Sequence, residues 1–215
     1  MLSIKHLSVA IQSIEILRSV HLEVAEGSMC GLIGRNGAGK TTLMRAVMGL
    51  LPAREGSINF ASGDLTRTPA HARSKLGIGY MPEDRRLVPT LSVEENVLIP
   101  AWSAGVADPN SRLAEVYTMI PEVREFSTRK GLQLSGGQQK LVALARALMC
   151  GDKLLLLDEP FEGVAPVLAM RLAEVITGLK KKGLSVILTE SDLAHSGEML
   201  DAVYTIDRGQ VTTAA

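Results

Sequence analysis

The sequence predicts an α/β fold with a mixed sheet core, antiparallel strands on its N-terminal side and an inserted helical subdomain. Three observations lead there. Short segments within residues 2–33 (LSIKHLSVAI, VHLEVAEG, SMCGLI) alternate apolar and polar positions, the mark of strands with one covered face. An unbroken apolar run, LLLLD, appears far downstream, and such a run fits a central parallel strand covered on both faces. Between Thr90 and Met149 the apolar spacing is mostly helical. Strands on both sides of a helical block place that block as an insertion in one core.

Taken in order, SMCGLI reads as a core strand that delivers the chain into GRNGAGKTT. A helix follows Gly39, with Leu43, Val47 and Leu50 at helical spacing and Gly49 where such a helix stops. Residues 57–81 carry a strand, a short helix and another strand. Ser92 followed by Glu95 forms a capping box, and Leu113, Val116, Tyr117 and Ile120 outline a second amphipathic helix. After LLLLD come a helix from Pro166 to Lys181, a strand over 184–189, a short helix and a closing hairpin, AVYTIDRGQV. The expected organisation is a single domain over 1–215, with 1–83 and 152–215 forming the α/β core and 84–151 the helical subdomain.

Lys plus Arg and Asp plus Glu both total 23, so no net charge draws the whole molecule onto nucleic acid or an anionic membrane. No apolar run is long enough to span a bilayer, and the N-terminus lacks the features of a secretory leader. These features predict a cytoplasmic protein. Cys30 and Cys150 lie in apolar settings (MCGLIG, ALMCG) and read as buried thiols. Lys180 to Lys182 read as a solvated helix end, and the nine Met residues as core filling.

The chemistry begins at Gly34. Gly34, Gly39, Lys40 and Thr41 satisfy G-x-x-x-x-G-K-[ST], with Arg35, Asn36, Gly37 and Ala38 between them and Thr42 following. Small residues let backbone N–H groups wrap a phosphate chain, and the start of the helix adds a favourable dipole. Lys40 brings a charge to the β- and γ-phosphates, and the Thr41 hydroxyl can ligate Mg²⁺. A glycine-rich turn ahead of a helix would show similar letters without binding anything. Asp158 and Glu159 of LLLLDEP sit at the carboxyl end of the expected central strand, where ligands bind in open α/β sheets. Asp158 then suits the Mg²⁺ shell and Glu159 the base that orients water, although Asp-Glu-Pro alone is an ordinary turn. In LSGGQQK, Ser135 caps a helix, Gln138 completes the capping box, and Gly136 and Gly137 leave its start bare.

The glycine-lysine loop, LSGGQ and LLLLDEP, in that order with a helical lobe between, resemble the nucleotide-binding subunit of an ABC transporter, a P-loop NTPase. The similarity spans about residues 2–211. It implies that two cassettes, identical or homologous, stack head to tail with ATP and Mg²⁺ between them. Ser135 and Gly137 of one would close over ATP held by the loop from Gly34 to Thr42 of the other. Glu83, in YMPEDRR where most relatives carry Gln, would offer Mg²⁺ an oxygen, and the surface from Glu83 to Val97 would receive a membrane permease subunit. PEDRR also reads as a solvated turn. Glu83 and FEGVAP are similar to the second ATPase subunit of branched-chain amino acid (Liv-type) importers. That likeness implies a place on the cytoplasmic face of the inner membrane, served indirectly by a periplasmic solute-binding protein.

Two positions depart from the family's pattern. Ser191 follows VILTE where the family has a His that reaches the γ-phosphate, and a hydroxyl is too short to replace an imidazole without a bridging water. His195 lies about one helical turn further on and reads as a surface or core His. Ile11 stands where an aromatic residue usually stacks on adenine and can cover the base only by apolar contact. The expected activity is ATP hydrolysis coupled to amino-acid import, slow in the isolated subunit. The alternative is a regulatory or structural cassette gated by nucleotide, with vestigial hydrolysis. With a single ATPase unit, no coiled-coil heptads and no basic extension, a partner of nucleic acid is not expected.

Overall fold

The computed structural model describes residues 1–213. The chain begins with β1 (Leu2–Ile11), β2 (Ile14–Val24), β3 (Met29–Ile33), α1 (Lys40–Val47), β4 (Glu55–Phe60) and β5 (Gly63–Asp64). It continues through α2 (Ala70–Arg73), β6 (Ile78–Met81), α3 (Val93–Ala104), α4 (Pro109–Met119), α5 (Pro121–Glu125) and α6 (Gly136–Leu148). β7 (Leu154–Asp158), α7 (Pro166–Lys181), β8 (Ser185–Glu190), β9 (Ala202–Asp207) and β10 (Gln210–Thr213) complete it.

The alternating N-terminal segments pair antiparallel in a four-stranded sheet, ordered β2-β1-β4-β5. Their buried residues are Leu2, Ile4, Leu7 and Val9 on β1 and Leu17, Val20, Leu22 and Val24 on β2. Each series contains one step of three rather than two. Register shifts between Ile4 and Leu7, with His6 and Ser19 at positive φ, absorb the extra residue and return both series to the inner face.

The second sheet has six strands in the order β10-β9-β3-β8-β7-β6. β3, β6, β7, β8 and β9 run parallel and β10 returns antiparallel. Every residue of LLLLD is buried, and the pleat sends its leucines to two different cores. Leu154 and Leu156 join the core shared with α1 and the antiparallel sheet, while Leu155 and Leu157 join the core of α3, α6 and α7. Burying each contributes roughly 2–3 kcal/mol. The sheet order also sets the carboxyl end of β8 between those of β3 and β7, the position where open α/β sheets bind ligands.

The capping box at α3 forms, with Ser92 Oγ accepting from Glu95 N at 3.1 Å and Glu95 Oε2 accepting from Ser92 N at 2.7 Å. Fully buried Asn96 then fastens the loop before it: its amide oxygen accepts from Val88 N, and its NH₂ donates to Val88, Leu91 and Ser92 carbonyls. Leu50, expected on the face of α1, lies past the helix end and is 45% exposed, because Gly49 at φ 78 has already turned the chain.

The far end of α1 is held by Arg73, which is 2% exposed. Its guanidinium donates to the carbonyls of Ala46 and Val47 at 2.9 and 2.8 Å, and to those of Leu65 and Thr68. Arg73→Met would leave four carbonyls with no charged donor. It is expected to lower the unfolding free energy by about 2–4 kcal/mol. A drop in the urea midpoint at constant slope is the readout, and an unchanged midpoint contradicts it.

Candidate functional site

β3 ends at Ile33, and Gly34 N donates to the carbonyl of Glu190, so the turn starts against the end of β8. A Cβ on Gly34 would lie 2.3 Å from the Ile206 carbonyl oxygen, so only glycine fits. Gly39 takes φ 115 and opens α1 with no side-chain cap, leaving the first helical N–H groups to the loop. The resulting hollow of about 440 Å³ is lined by Asn36, Gly37, Gly39, Lys40, Thr41, Thr42, Glu83, Glu159 and Ile16.

Lys40 is buried. Its Nζ donates to the carbonyls of Gly34 and Arg35 and sits 3.0 Å from Glu159 Oε1. Asp158 is fully buried at the end of β7 and is approached by three hydroxyls: Thr41 at 3.2 Å and Thr189 at 2.8 Å on Oδ1, and Tyr80 at 3.2 Å on Oδ2. Burial pushes its carboxyl up from the usual carboxylate range, while these hydrogen bonds pull it back.

Glu159 has φ 49, a left-handed conformation uncommon away from glycine. Its amide donates to Thr189 Oγ1 at 3.0 Å and its carbonyl accepts from Lys140 Nζ. Its Oε1 forms a buried ion pair with Lys40 Nζ at 3.0 Å. Burial pushes this carboxyl up, and Lys40 opposes the rise. Glu83 lies exposed on the rim, raised first by desolvation and then by the charge of Glu162. Thr41 and Glu83 line the hollow, and Thr41 Oγ1 donates to Asp158 Oδ1 behind it; these are oxygen donors of the kind a hard cation takes.

The capping box expected at α6 is present: Ser135 Oγ accepts from Gln138 N at 3.3 Å, and Gln138 Oε1 accepts from Ser135 N at 3.0 Å. Gly136 and Gly137 follow, and a Cβ on Gly137 would lie 2.4 Å from Leu168 Cδ2. None of the residues from Ser135 to Gln138 lines the hollow within one chain. Ser191 turns its hydroxyl to Asn36 Oδ1 at 3.1 Å, reaching the glycine loop rather than lining the hollow. His195 is exposed, its ring 5.7 Å from that of Phe161. Ile11 is 40% exposed opposite Ile14, and Ile16 lines the hollow in its place. Tyr80, Thr189 and Lys140 were missed by sequence reasoning. The readable hint was their position at strand ends beside β7, or one turn into the LSGGQ helix.

Fold and site together define a P-loop nucleoside triphosphatase. A comparison with protein families matches the ABC transporter family over residues 17–162. The chain belongs to that family, and within it to the ATPase cassettes. The high-affinity branched-chain amino acid transport ATP-binding protein BraG of Pseudomonas aeruginosa is 34% identical over 211 residues, 98% of this chain and 91% of that one. The lipopolysaccharide export system ATP-binding protein LptB of Escherichia coli K12 is 32% identical over 212 residues, 98% and 88% of the two chains. A crystal structure of a nucleotide-free ATP-binding cassette from an ABC transporter superposes at TM-score 0.86 with 28% identity, covering 98% of this chain and 89% of that one. The ADP conformation of another such cassette reaches 0.84 at 27% identity, with coverage of 99% and 89%.

Glu190 ends β8 beneath the loop, its Oε2 accepting from Ser196 Oγ at 2.5 Å. Burial pushes its carboxyl up to about 7 against the pull of that hydrogen bond, with the Glu159 and Asp192 charges adding to the rise. The folded protein therefore binds more protons here than the unfolded chain does between about 4.5 and 7. This contribution to stability falls as pH rises through that window. Glu190→Gln is expected to gain stability over the wild type, on the order of 1–3 kcal/mol, between about pH 5 and pH 8. Urea midpoints at the two pH values measure it; parallel pH dependence in both proteins contradicts it.

Proposed function

We propose that this chain is the ATP-hydrolysing subunit of an ABC importer for amino acids, branched-chain or other small hydrophobic ones. The observation that carries the hydrolytic part is the buried set of Lys40, Asp158 and Glu159 at adjoining strand and loop ends. The likeness to BraG supports the solute class.

The backbone N–H groups from Arg35 to Thr42 cradle the phosphates, and Lys40 moves its charge from Glu159 and the loop carbonyls toward the β- and γ-phosphates. Glu159 orients the attacking water through its buried carboxylate and takes its proton, a role suited to a carboxyl raised by burial. Thr41, Asp158 and Glu83 would hold Mg²⁺, which neutralises charge on the phosphate oxygens when bound. Ile16, with Ile11 beyond it, covers the base by apolar contact. Ser191 acts through Asn36 of the loop.

Ser135, Gly136, Gly137 and Gln138 serve the nucleotide of a second cassette, a copy of this chain or a homologous ATPase. A bare helix start with a hydroxyl at its cap attracts the γ-phosphate. The permease docks beside Glu83 to Val97, where Met48, Tyr80, Pro82, Ile99 and Pro100 line a groove of about 310 Å³ rimmed by Arg86 and Arg146. Exposed Leu50, Val88 and Trp102 extend apolar surface around it. Among the described residues no helix is long and apolar enough to cross a membrane, so attachment at the cytoplasmic face depends on those permease subunits. A periplasmic binding protein selects the solute. The likeness to LptB favours a second reading, in which the same cassette powers export of a lipid-linked substrate.

Glu159→Gln is expected to lower kcat for phosphate release by about 10²–10⁴ while ATP affinity is retained. Lys40→Ala is expected to weaken ATP binding instead. Turnover untouched by Glu159→Gln would remove the base assignment. Purifying the native complex and identifying its members by mass decides the solute class. An amino-acid permease with phosphate release stimulated by a leucine-loaded binding protein supports import, whereas lipopolysaccharide-export components favour the second reading.

A further inference from the structure

Lys140 heads the largest fully buried side chains of the protein, 1% exposed, on the fifth residue of α6. Burying an ammonium costs several kcal/mol unless close partners recover it. The directed partner here is a single main-chain atom, since Lys140 Nζ donates to the carbonyl of Glu159. A neutral Gln would satisfy a carbonyl with far less desolvation, so backbone satisfaction alone is a weak reason for a charge at this position.

The neighbourhood supplies a stronger one. Glu159 and Glu162 after β7 and Glu83 after β6 face the ammonium, while Arg85 opposes it. The Glu159 peptide is strained at φ 49 and held from two sides, its N–H by Thr189 of β8 and its C=O by Lys140 of α6. Strain of this kind costs roughly 1–3 kcal/mol and persists only where the surroundings over-determine it. Removing the α6 contact leaves the Thr189 bond from the opposite strand and a longer turn bond from Glu162 N–H, at 3.3 Å, within the same loop.

We propose that Lys140 is a positioning residue for ATP hydrolysis: it locks the Glu159 peptide so that the carboxylate faces the attacking water, and it ties that geometry to the helix begun by Ser135. The proposal rests on the ATPase reading given above. Lys140 lies about 6–8 Å along the helix axis from the cap, at 1.5 Å per residue. Movement of α6 as its start engages a second cassette's nucleotide therefore reaches the base of its own chain through one hydrogen bond. Hydrolysis at one site becomes conditional on how the same chain grips the other.

The test uses full-length protein in the assembled state that hydrolyses ATP. Lys140→Met is expected to lower kcat by about 10–100-fold, with ATP Kd within about threefold of wild type, and Lys140→Arg to recover most of that loss. A Lys140→Met protein with normal melting temperature and kcat within twofold of wild type overturns the proposal. Should Lys140→Met not fold, Lys140→Gln, whose shorter side chain falls short of the Glu159 carbonyl, decides by the same split: kcat lowered at least about fivefold at unchanged ATP Kd supports the role, and kcat within twofold of wild type overturns it. Wild type and Glu159→Gln run alongside. No turnover in the wild type overturns the ATPase reading and this proposal together, whereas turnover lost in Glu159→Gln and intact in Lys140→Met overturns this proposal alone.

Discussion

An ammonium and two carboxylates lie buried together at the carboxyl ends of parallel strands, and the rest of the molecule is arranged around that constraint. Lys40 Nζ lies 3.0 Å from Glu159 Oε1, and Asp158 adjoins them with no exposed surface of its own. Charges taken out of water are tolerated only where attraction and hydrogen bonds recover the desolvation cost. Asp158 recovers it through the hydroxyls of Thr41, Thr189 and Tyr80, from three different elements. Glu159 relies instead on a single ammonium, Lys40 Nζ, 3.0 Å from its Oε1. One carboxylate is held by three hydroxyls and the other by an ion pair, so two neighbouring acids sit in different environments.

That asymmetry requires three strand ends to meet, which the sheet order enforces. β8 lies between β3 and β7, so Thr189 touches both carboxyl-bearing residues while the Glu190 carbonyl anchors the start of the glycine loop. The leucines of β7 hold this register from both sides, since alternate residues feed separate cores. A one-residue slip would exchange those cores and carry Asp158 away from Thr41.

What could be read beforehand was local. The glycine loop, the capping boxes at Ser92 and Ser135, and the helix from Pro166 each depend on residues a few positions apart, and each element forms. Leu50 went astray because helical spacing carries no knowledge of the turn that Gly49 makes. The bulges at His6 and Ser19 hid in the same way, as odd steps in an otherwise regular alternation. Tyr80 and Thr189 were invisible as site residues because they lie 78 and 31 positions from Asp158, a distance only the folded sheet closes. Lys140 looked like one more polar residue after LSGGQ, and its burial follows from packing α6 beneath the loop that follows β7.

The same geometry bears on the missing imidazole. Ser191 does not reach into the hollow; it meets Asn36 on the neighbouring loop, so the end of β8 still touches the phosphate cradle, though through a short polar bond. The larger contribution of β8 comes two residues earlier. Thr189 donates to Asp158 and accepts from the Glu159 amide, contacts that hold the two acidic residues in register whatever side chain occupies position 191. The side chain at 191 is thus not what organises the carboxylates. The arrangement of Lys40, Asp158 and Glu159 is set by the strand ends and the glycine loop, and a serine at 191 leaves it in place.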